Sequence, residues 1–438
     1  MAEHPLCTRE VAGSNPAVST KNRKVKGFKF ISAFICVKSA LICVMKISIL
    51  LSGGVDSSVS ALLFKKKGYE LVGIHLHCFD FCNPQDAEDA RKVAEILNIP
   101  FYVFDLTEEF EDKVINYMIR TYEQGLTPNP DVYCNQFIKF GVFFDKALNL
   151  GYDFVASGHY ARTLTNADYT RTDADSIYPN DNRIKYPNDD RIFGENSGNN
   201  VSLRESASSL RKSASIHLLT SKDREKDQTY FLWKVEKEKF SKIIFPVGDF
   251  LKSEVREIAK KYNLPTAEKK ESMGICFVGQ VKLREFLSQY LKPKEGKIID
   301  TQGRILGTHP GYFYFTEGQR HGLNIKVGGG PYYVAQKIPE ENLIIVAKKG
   351  DPLLYTKKIE ITEVNILEKE ILDKEKIVEA RFRHRQPLVK AKVNIEISEV
   401  EFLEPQKMVA PGQSIVFYKD DLVLGGGIIL KRTPLDSK

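Results

Sequence analysis

The sequence contains no Gly-x-x-x-x-Gly-Lys-Ser/Thr, so no Walker lysine is available to hold a γ-phosphate for hydrolysis or transfer. Cysteines are scarce. The seven stand at 7, 36, 43, 78, 82, 134 and 276, too few and too scattered for the disulfide framework of a secreted protein. A reducing cytosol fits them better, with thiols that do chemistry rather than brace the fold. A membrane-spanning run is missing too. Phe30 to Val44 is apolar but carries Lys38 in its middle and is too short to span a bilayer comfortably. No small-residue cleavage site follows it, which argues against a signal peptide. Neither sign of charge dominates: the net charge of +7 is compatible with a polyanionic partner without requiring one. With 42% hydrophobic and 28% charged residues, the 438-residue chain reads as an ordinary globular protein of two or three domains.

What is present begins with Ser52-Gly53-Gly54-Val55-Asp56-Ser57-Ser58. This stretch follows the apolar run Ile47 to Leu51. It precedes a segment with helical spacing, Val55, Val59, Leu62 and Leu63, that stops at Gly68. Strand, glycine turn and helix start together make an anion site. The glycines let backbone approach a phosphate, and Ser52, Ser57 and Ser58 add hydroxyl donors. A tight Gly-Gly turn with a serine cap is the plainer reading. The pattern resembles the PP-loop of ATP pyrophosphatases, which bind the β and γ phosphates of ATP while a substrate oxygen attacks the α phosphorus.

From 46 to 160 the pattern alternates. Strands are expected over 47–51, 71–76, 101–105 and 153–156, with helices over 55–67, 85–97, near 108–122 and over 135–149. That rhythm reads as an α/β doubly wound parallel sheet whose ligand crevice lies at the carboxyl ends of the strands. Residues 1–44 fall outside it, and Met45 is the expected biological start, 1–44 being a disordered leader or a mis-assigned start. Residues 163–214 are rich in Asn, Asp, Ser and Arg, with a near-repeat at Tyr178 and Tyr186, and read as a disordered insertion. Helical spacing returns over 253–263. From about 355, alternating runs at 377–383, 388–396, 399–403, 414–418 and 422–430 read as a small all-β barrel.

Two cysteines stand in motifs. In Thr127-Pro128-Asn129-Pro130-Asp131-Val132-Tyr133-Cys134-Asn135 the prolines rigidify a loop ahead of the expected helix 135–149. Asp131 is three residues before Cys134, so one helical turn could bring carboxylate and thiol together. At a helix N-terminus the dipole would favour the thiolate, while the carboxylate would oppose it. A capped Pro-rich turn with a buried Cys is the bland alternative. The other motif is Lys269-Lys270-Glu271-Ser272-Met273-Gly274-Ile275-Cys276-Phe277, where Cys276 follows a small-residue loop or simply lies in a strand. His75, His77, Cys78 and Cys82 cluster and suggest zinc, but strand alternation puts Cys78 on the face opposite the histidines, which favours local packing.

Taken together, the three motifs resemble the tRNA-specific 2-thiouridylase family over roughly 45–430. Gly158-His159-Tyr160-Ala161-Arg162, Lys226-Asp227-Gln228-Thr229-Tyr230-Phe231-Leu232, Arg383-His384-Arg385-Gln386, Pro411-Gly412-Gln413 and Leu424-Gly425-Gly426-Gly427-Ile428 agree with it in order. The resemblance implies a PP-loop (HUP-like) catalytic domain over 45–278, a central adapter over 279–345 and a tRNA-binding C-terminal β-barrel over 346–432. It implies ATP-dependent 2-thiolation of the wobble uridine, position 34 of tRNA, by a cytoplasmic sulfurtransferase. ATP would lie on Leu50, Leu51, Ser52, Gly53, Gly54, Val55, Asp56 and Ser57, flanked by Leu76 and Gly158, with Mg2+ on its phosphates. Cys276 would carry a persulfide from a cysteine desulfurase or sulfur-relay protein, Cys134 would be its nucleophilic partner, and Asp131 the general acid/base. A Cys134–Cys276 disulfide would close the cycle. Asn129, Pro130, Asp131, His159, Lys226, Asp227, Gln228, Arg383, His384 and Gln413 would contact tRNA at its anticodon loop. Alternatively, Asp131, Cys134 and Cys276 could ligate an iron–sulfur cluster.

Two departures stand out: Leu76-His77 replaces a common Met-Lys, and 163–214 is longer than usual. A PP-loop ligase that adenylates a small molecule, needing neither cysteine, and a non-catalytic RNA-binding protein are the competing classes.

Overall fold

The structure is a computed structural model that describes residues 45–79, 84–165, 216–270, 283–326, 328 and 330–435. The expected leader (1–44), the expected insertion from 166 to 214, Cys82 and the Cys276 motif from 271 to 277 lie outside these residues.

The described residues open with β1 (Lys46–Leu50), α1 (Val55–Lys66), β2 (Glu70–His77), α2 (Pro84–Ile96), β3 (Phe101–Asp105) and two long helical stretches, α3 (residues 107–123) and α4 (residues 130–149). β4 (Phe154–Ala156), β5 (Ala161–Thr165), β6 (Ile216–Thr220) and β7 (Ile243–Ile244) follow, then α5 (Lys252–Lys261) and α6 (Leu283–Tyr290). The first sheet runs β3-β2-β1-β4-β7 with every pairing parallel. Alternation along β1 explains its two-sided burial. Ile47 and Ile49 pack with Val59, Leu62, Val93 and Val255 on one face. Leu50 joins Val72, Phe110, Ile138 and Phe143 on the other. Helices thus cover both faces, as the alternating sequence implied.

The central domain is a four-stranded sheet, built from β8 (Gly296–Asp300), β9 (Ile305–His309), β10 (Tyr332–Ile338) and β11 (Leu343–Lys348) in the order β10-β11-β8-β9. The rest is an antiparallel barrel: β12 (Tyr355–Ile366), β13 (Val378–Arg381), β14 (Val389–Asn394), β15 (Glu399–Lys407), β16 (Ser414–Lys419) and β17 (Leu422–Pro434), closed by pairing β12 with β17. β12 shows no clean alternation in sequence because bulges interrupt its register with β17 at Thr356/Lys358, Glu360/Ile361 and Thr362/Asn365.

One link was not legible beforehand. β5 and β6 form an antiparallel pair that joins the barrel sheet through Leu219 opposite Leu422. Residues 163–165, at the start of the expected insertion, therefore belong to a strand. The core is correspondingly continuous, running from Leu50 and Ile74 through Trp233 to Val416, Tyr418 and Val423. Among the described residues, no helix is long and apolar enough to cross a membrane.

Candidate active site

The strand order β2-β1-β4 brings Leu76, Leu50 to Ser52 and Gly158 to one end of the sheet. β1 gives way to a glycine turn, and α1 starts from Gly54 with no side-chain cap. The hydroxyls of Ser57 and Ser58 turn back to Gly54 O at 3.1 and 2.8 Å, and Ser57 Oγ accepts from Ser52 N at 3.2 Å. The first-turn amides of α1 are left for an anion. Close approach dictates the glycines. Gly53 has φ +74°, and a Cβ there would lie 2.2 Å from Asp86 O; one on Gly158 would lie 2.6 Å from Ser57 N. This cradle fits a polyphosphate. Leu50, Leu51 and Val55 are buried, so they offer a nucleotide backbone rather than side chain.

Three groups to which the sequence reading gave no role at the site brace the cradle. Lys252 Nζ binds Asp56 at 2.7 Å to each carboxylate oxygen, and Tyr160 OH donates to Asp56 Oδ1 at 2.9 Å. Lys269 bridges Asp86 at 2.7 Å and Asp89 at 2.5 Å, tying the approach to the Cys276 motif to the turn of α2 that touches Gly53. His75, suspected as a zinc ligand, instead meets Leu51 O through Nδ1 at 2.9 Å, and burial lowers its pKa. Among the described residues no three His, Cys, Asp or Glu side chains converge on a metal position.

The second motif differs from expectation in one respect. The helix starts at Pro130, with Asn129 as its cap, rather than at 135. Proline suits a first helical position because its fixed φ is already helical and its missing N–H is not needed there. Cys134 therefore sits beyond the first turn, where the backbone opens into wide π-type turns over Cys134–Val142, and the dipole acts on it less than a terminal position would allow. Asp131 and Cys134 do share a helix face at i, i+3. Cys134 is buried and Asp131 half-buried.

The barrel and the central domain grip this motif. Gln413 Nε2 donates to Thr127 O at 3.0 Å and Pro128 O at 2.9 Å, and Thr127 N donates to Pro411 O at 2.9 Å. From the central domain, Lys337 Nζ reaches Phe315 O at 2.9 Å and Thr127 Oγ1 at 3.5 Å. Burial lowers the Lys337 pKa to about 8.

Cradle and cysteine helix are joined by one hydrogen-bonded path. Tyr160, bound to Asp56, donates its backbone N–H to Gln228 Oε1 at 2.9 Å, and its carbonyl accepts from Gln228 N at 2.9 Å. Phe231 N donates to Gln228 O at 3.0 Å, and Asn135 Nδ2, next to Cys134, donates to Phe231 O at 3.0 Å. The buried Asn135 Oδ1 has no partner among the described residues.

Several expected RNA contacts line this path. His159 lies between Phe140 and Phe245, with Nδ1 2.9 Å from Ser157 Oγ, and burial holds it neutral. His384 packs against Phe231 with the ring planes tilted by 55°, and meets Asp227 O at 3.0 Å. Arg383 binds Met408 O. The side chains of Asn129 and Asp227 face inward: Asn129 is 6% and Asp227 2% exposed. Asp227 accepts from Ser221 N at 3.0 Å and Thr229 Oγ1 at 2.7 Å. Lys226, Gln228 and Pro130 stand beside them, Pro130 buried and the other two half-exposed.

Comparison with known proteins agrees with this layout. The family described as "tRNA methyl transferase HUP domain" matches residues 45–183 and 198–280. "tRNA methyl transferase PRC-barrel domain" matches 284–348, and "Aminomethyltransferase beta-barrel domain" matches 356–429. The tRNA-specific 2-thiouridylase MnmA of Bacillus licheniformis is 40% identical over 392 residues, covering 86% of this chain and 93% of that one. That of Bacillus subtilis is 38% identical, with 86% and 93% covered; MnmA 1 of Geobacillus kaustophilus is 37% identical, with 88% and 96% covered. With that identity over nearly the whole of each relative, and a matching order of sheet, central domain and barrel, the chain belongs to the tRNA-specific 2-thiouridylase family of enzymes.

Proposed function

We propose that this enzyme replaces the C2 oxygen of uridine 34 in tRNA by sulfur, at the expense of ATP, in the cytoplasm. One observation carries the reading: the hydrogen-bonded path that joins the phosphate cradle at Asp56 to Asn135 beside Cys134. A small-molecule ligase has no need of a cysteine helix tied to its nucleotide cradle, and an RNA-binding protein has no need of the cradle.

The residues suit an activation in two stages. The C2 carbonyl oxygen is a poor leaving group. Its attack on the α phosphorus expels pyrophosphate and makes an O-adenylate, for which a loop without a Walker lysine is sufficient. The cradle holds the β and γ phosphates through the α1 amides and the serine hydroxyls. Asp56 is already engaged by Lys252 and Tyr160, so magnesium would enter on the phosphates of ATP rather than on that carboxylate. Sulfur from a Cys276 persulfide, supplied by a desulfurase or relay protein, then attacks C2 and AMP leaves. Cys134 attacks the inner sulfur of Cys276, which leaves a Cys134–Cys276 disulfide for a thiol reductant to reset. In a variant of this route Cys134 first frees hydrosulfide, which attacks C2. Asp131, on the face of Cys134, moves the protons.

The target base must leave its stack to be reached, which a single-stranded anticodon loop permits cheaply. His159, Lys226, Gln228, Arg383, His384 and Gln413, with Asn129 and Pro130, border the place where it would enter. Both described ends of the Cys276 segment lie near the cradle. Lys269 binds Asp86 and Asp89, and Phe286 of α6 packs on Phe79, two residues beyond β2. The test is nucleoside analysis of tRNA from a strain lacking the gene, paired with ATP–pyrophosphate exchange by the pure protein. Loss of 2-thiouridine and tRNA-dependent exchange are expected; intact 2-thiouridine would overturn the proposal.

A further inference from the structure

We infer that Lys234 and Glu363 are positioning residues for Cys134, acting through Tyr133; this rests on the role proposed above for that thiol. Tyr133 is the residue before Cys134. Its hydroxyl donates to Glu363 Oε2 at 2.6 Å. Its ring stacks flat on Tyr117, with centroids 3.4 Å apart and planes 8° from parallel. Lys234 Nζ lies 3.9 Å from the ring centroid and binds Glu363. Tyr133 is thus fixed through a face, by a cation, and at its hydroxyl. Tyr117 extends the grip, because its hydroxyl accepts from Asn129 N at 3.4 Å, at the start of the same helix.

The barrel holds the pair in place. Glu363 lies in β12 with φ +49°, where a side chain other than glycine is uncommon. It occupies the break in register between Thr362 and Asn365. Two residues on, Asn365 Nδ2 donates to Trp233 O at 2.7 Å and Val235 O at 3.2 Å, clamping the backbone on both sides of Lys234. Strained backbone persists where its surroundings over-determine it, and such positions cluster at functional sites. Burial pushes the Glu363 carboxyl up, but hydrogen bonds from Lys234 and Tyr133 outweigh it and keep the group ionised. A partly buried ion pair is weak evidence for stability, and its better-attested use is to fix one arrangement. Here that arrangement aims the turn that bears Cys134.

The test uses the full-length enzyme with Glu363→Gln, Lys234→Met and Lys234→Arg, each checked for folding by its melting temperature. Readouts are thiolation kinetics, tRNA-dependent ATP–pyrophosphate exchange, and the pH profile of alkylation at Cys134, mapped by peptide mass spectrometry. Lys234→Met is expected to lower kcat for thiolation about tenfold, with KM for tRNA and the exchange rate within about twofold of wild type. Its alkylation profile at Cys134 should shift, Lys234→Arg should restore most of kcat, and Glu363→Gln should fall between. Unchanged kcat and alkylation in folded variants would overturn the inference, and so would a parallel fall in kcat and exchange. Full thiolation by Cys134→Ala would instead refute the role of the thiol itself.

Discussion

Lys252 grips both carboxylate oxygens of Asp56 at 2.7 Å, although the two residues lie on different helices 196 positions apart. The pair places a lysine at the phosphate loop without a Walker sequence. Lys252→Ala leaves Asp56 with Tyr160 alone and a negative charge facing an incoming polyphosphate. An increase of about tenfold or more in KM for ATP is expected, partly recovered in Lys252→Arg. Pyrophosphate exchange at graded ATP concentrations measures it.

Cys134→Ala and Cys276→Ala should each abolish 2-thiouridine formation, since neither thiol can replace the other in the proposed cycle. Nucleotide binding and tRNA-dependent exchange should stay within about threefold of wild type, because the cradle is built from Ser52 to Ser58. Chromatographic analysis of a thiolated transcript and the exchange assay read the two halves separately. Iron retained by wild type and lost in both variants would favour the cluster over the persulfide.

Gly53→Ala places a Cβ 2.2 Å from Asp86 O at a residue with φ +74°. The clash is with backbone, so the loop must move away from α2. Loss of ATP binding by about tenfold or more is expected, with destabilisation of about 1–3 kcal/mol. Gly68, also at positive φ but with open space around its Cβ position, is the control: Gly68→Ala should leave ATP binding unchanged.

Three histidines at the site, His75, His159 and His384, have pKa values below their ordinary 6.5, each chiefly through burial. The unfolded chain therefore binds more protons than the folded one once pH drops below about 6.5. Their contribution to stability is fully present above that value and is lost as pH falls through the folded pKa values. Denaturant unfolding across pH 7 to 5 should show the decline, and His159→Phe should flatten part of it.

Lys337 follows the same sign in a higher pH window. Its folded pKa of about 8 lies below the ordinary 10.5, so its buried charge opposes folding throughout the neutral range. Stability should rise between about pH 8 and 10.5, by up to roughly 3 kcal/mol from this group alone. Lys337→Met should remove that rise and, by releasing Thr127, lower thiolation more than pyrophosphate exchange. Urea melts at pH 7.5 and 10 compare the two proteins.

Much of the first domain was legible because its signals are local. The glycine turn after Ile47–Leu51 lies where strand meets helix, and apolar spacing located α1 and α2 within a residue. Pro130 misled because a proline that breaks a helix and one that begins it look alike in sequence. Glu363 and Asn365 were invisible because bulges erase the alternation of β12. Lys252, Tyr160 and Lys234 act across the fold, and no short-range pattern announces a partner 196, 104 or 129 residues away.

The pairing of Leu219 with Leu422 also orders events during synthesis. The ribosome has delivered β5 and β6 long before their neighbour β17 exists. At 5–20 residues per second the intervening stretch of about 200 residues takes roughly 10–40 s. Until then that hairpin presents an unmatched edge, so nascent chains stalled before residue 422 should be the ones that recruit chaperones.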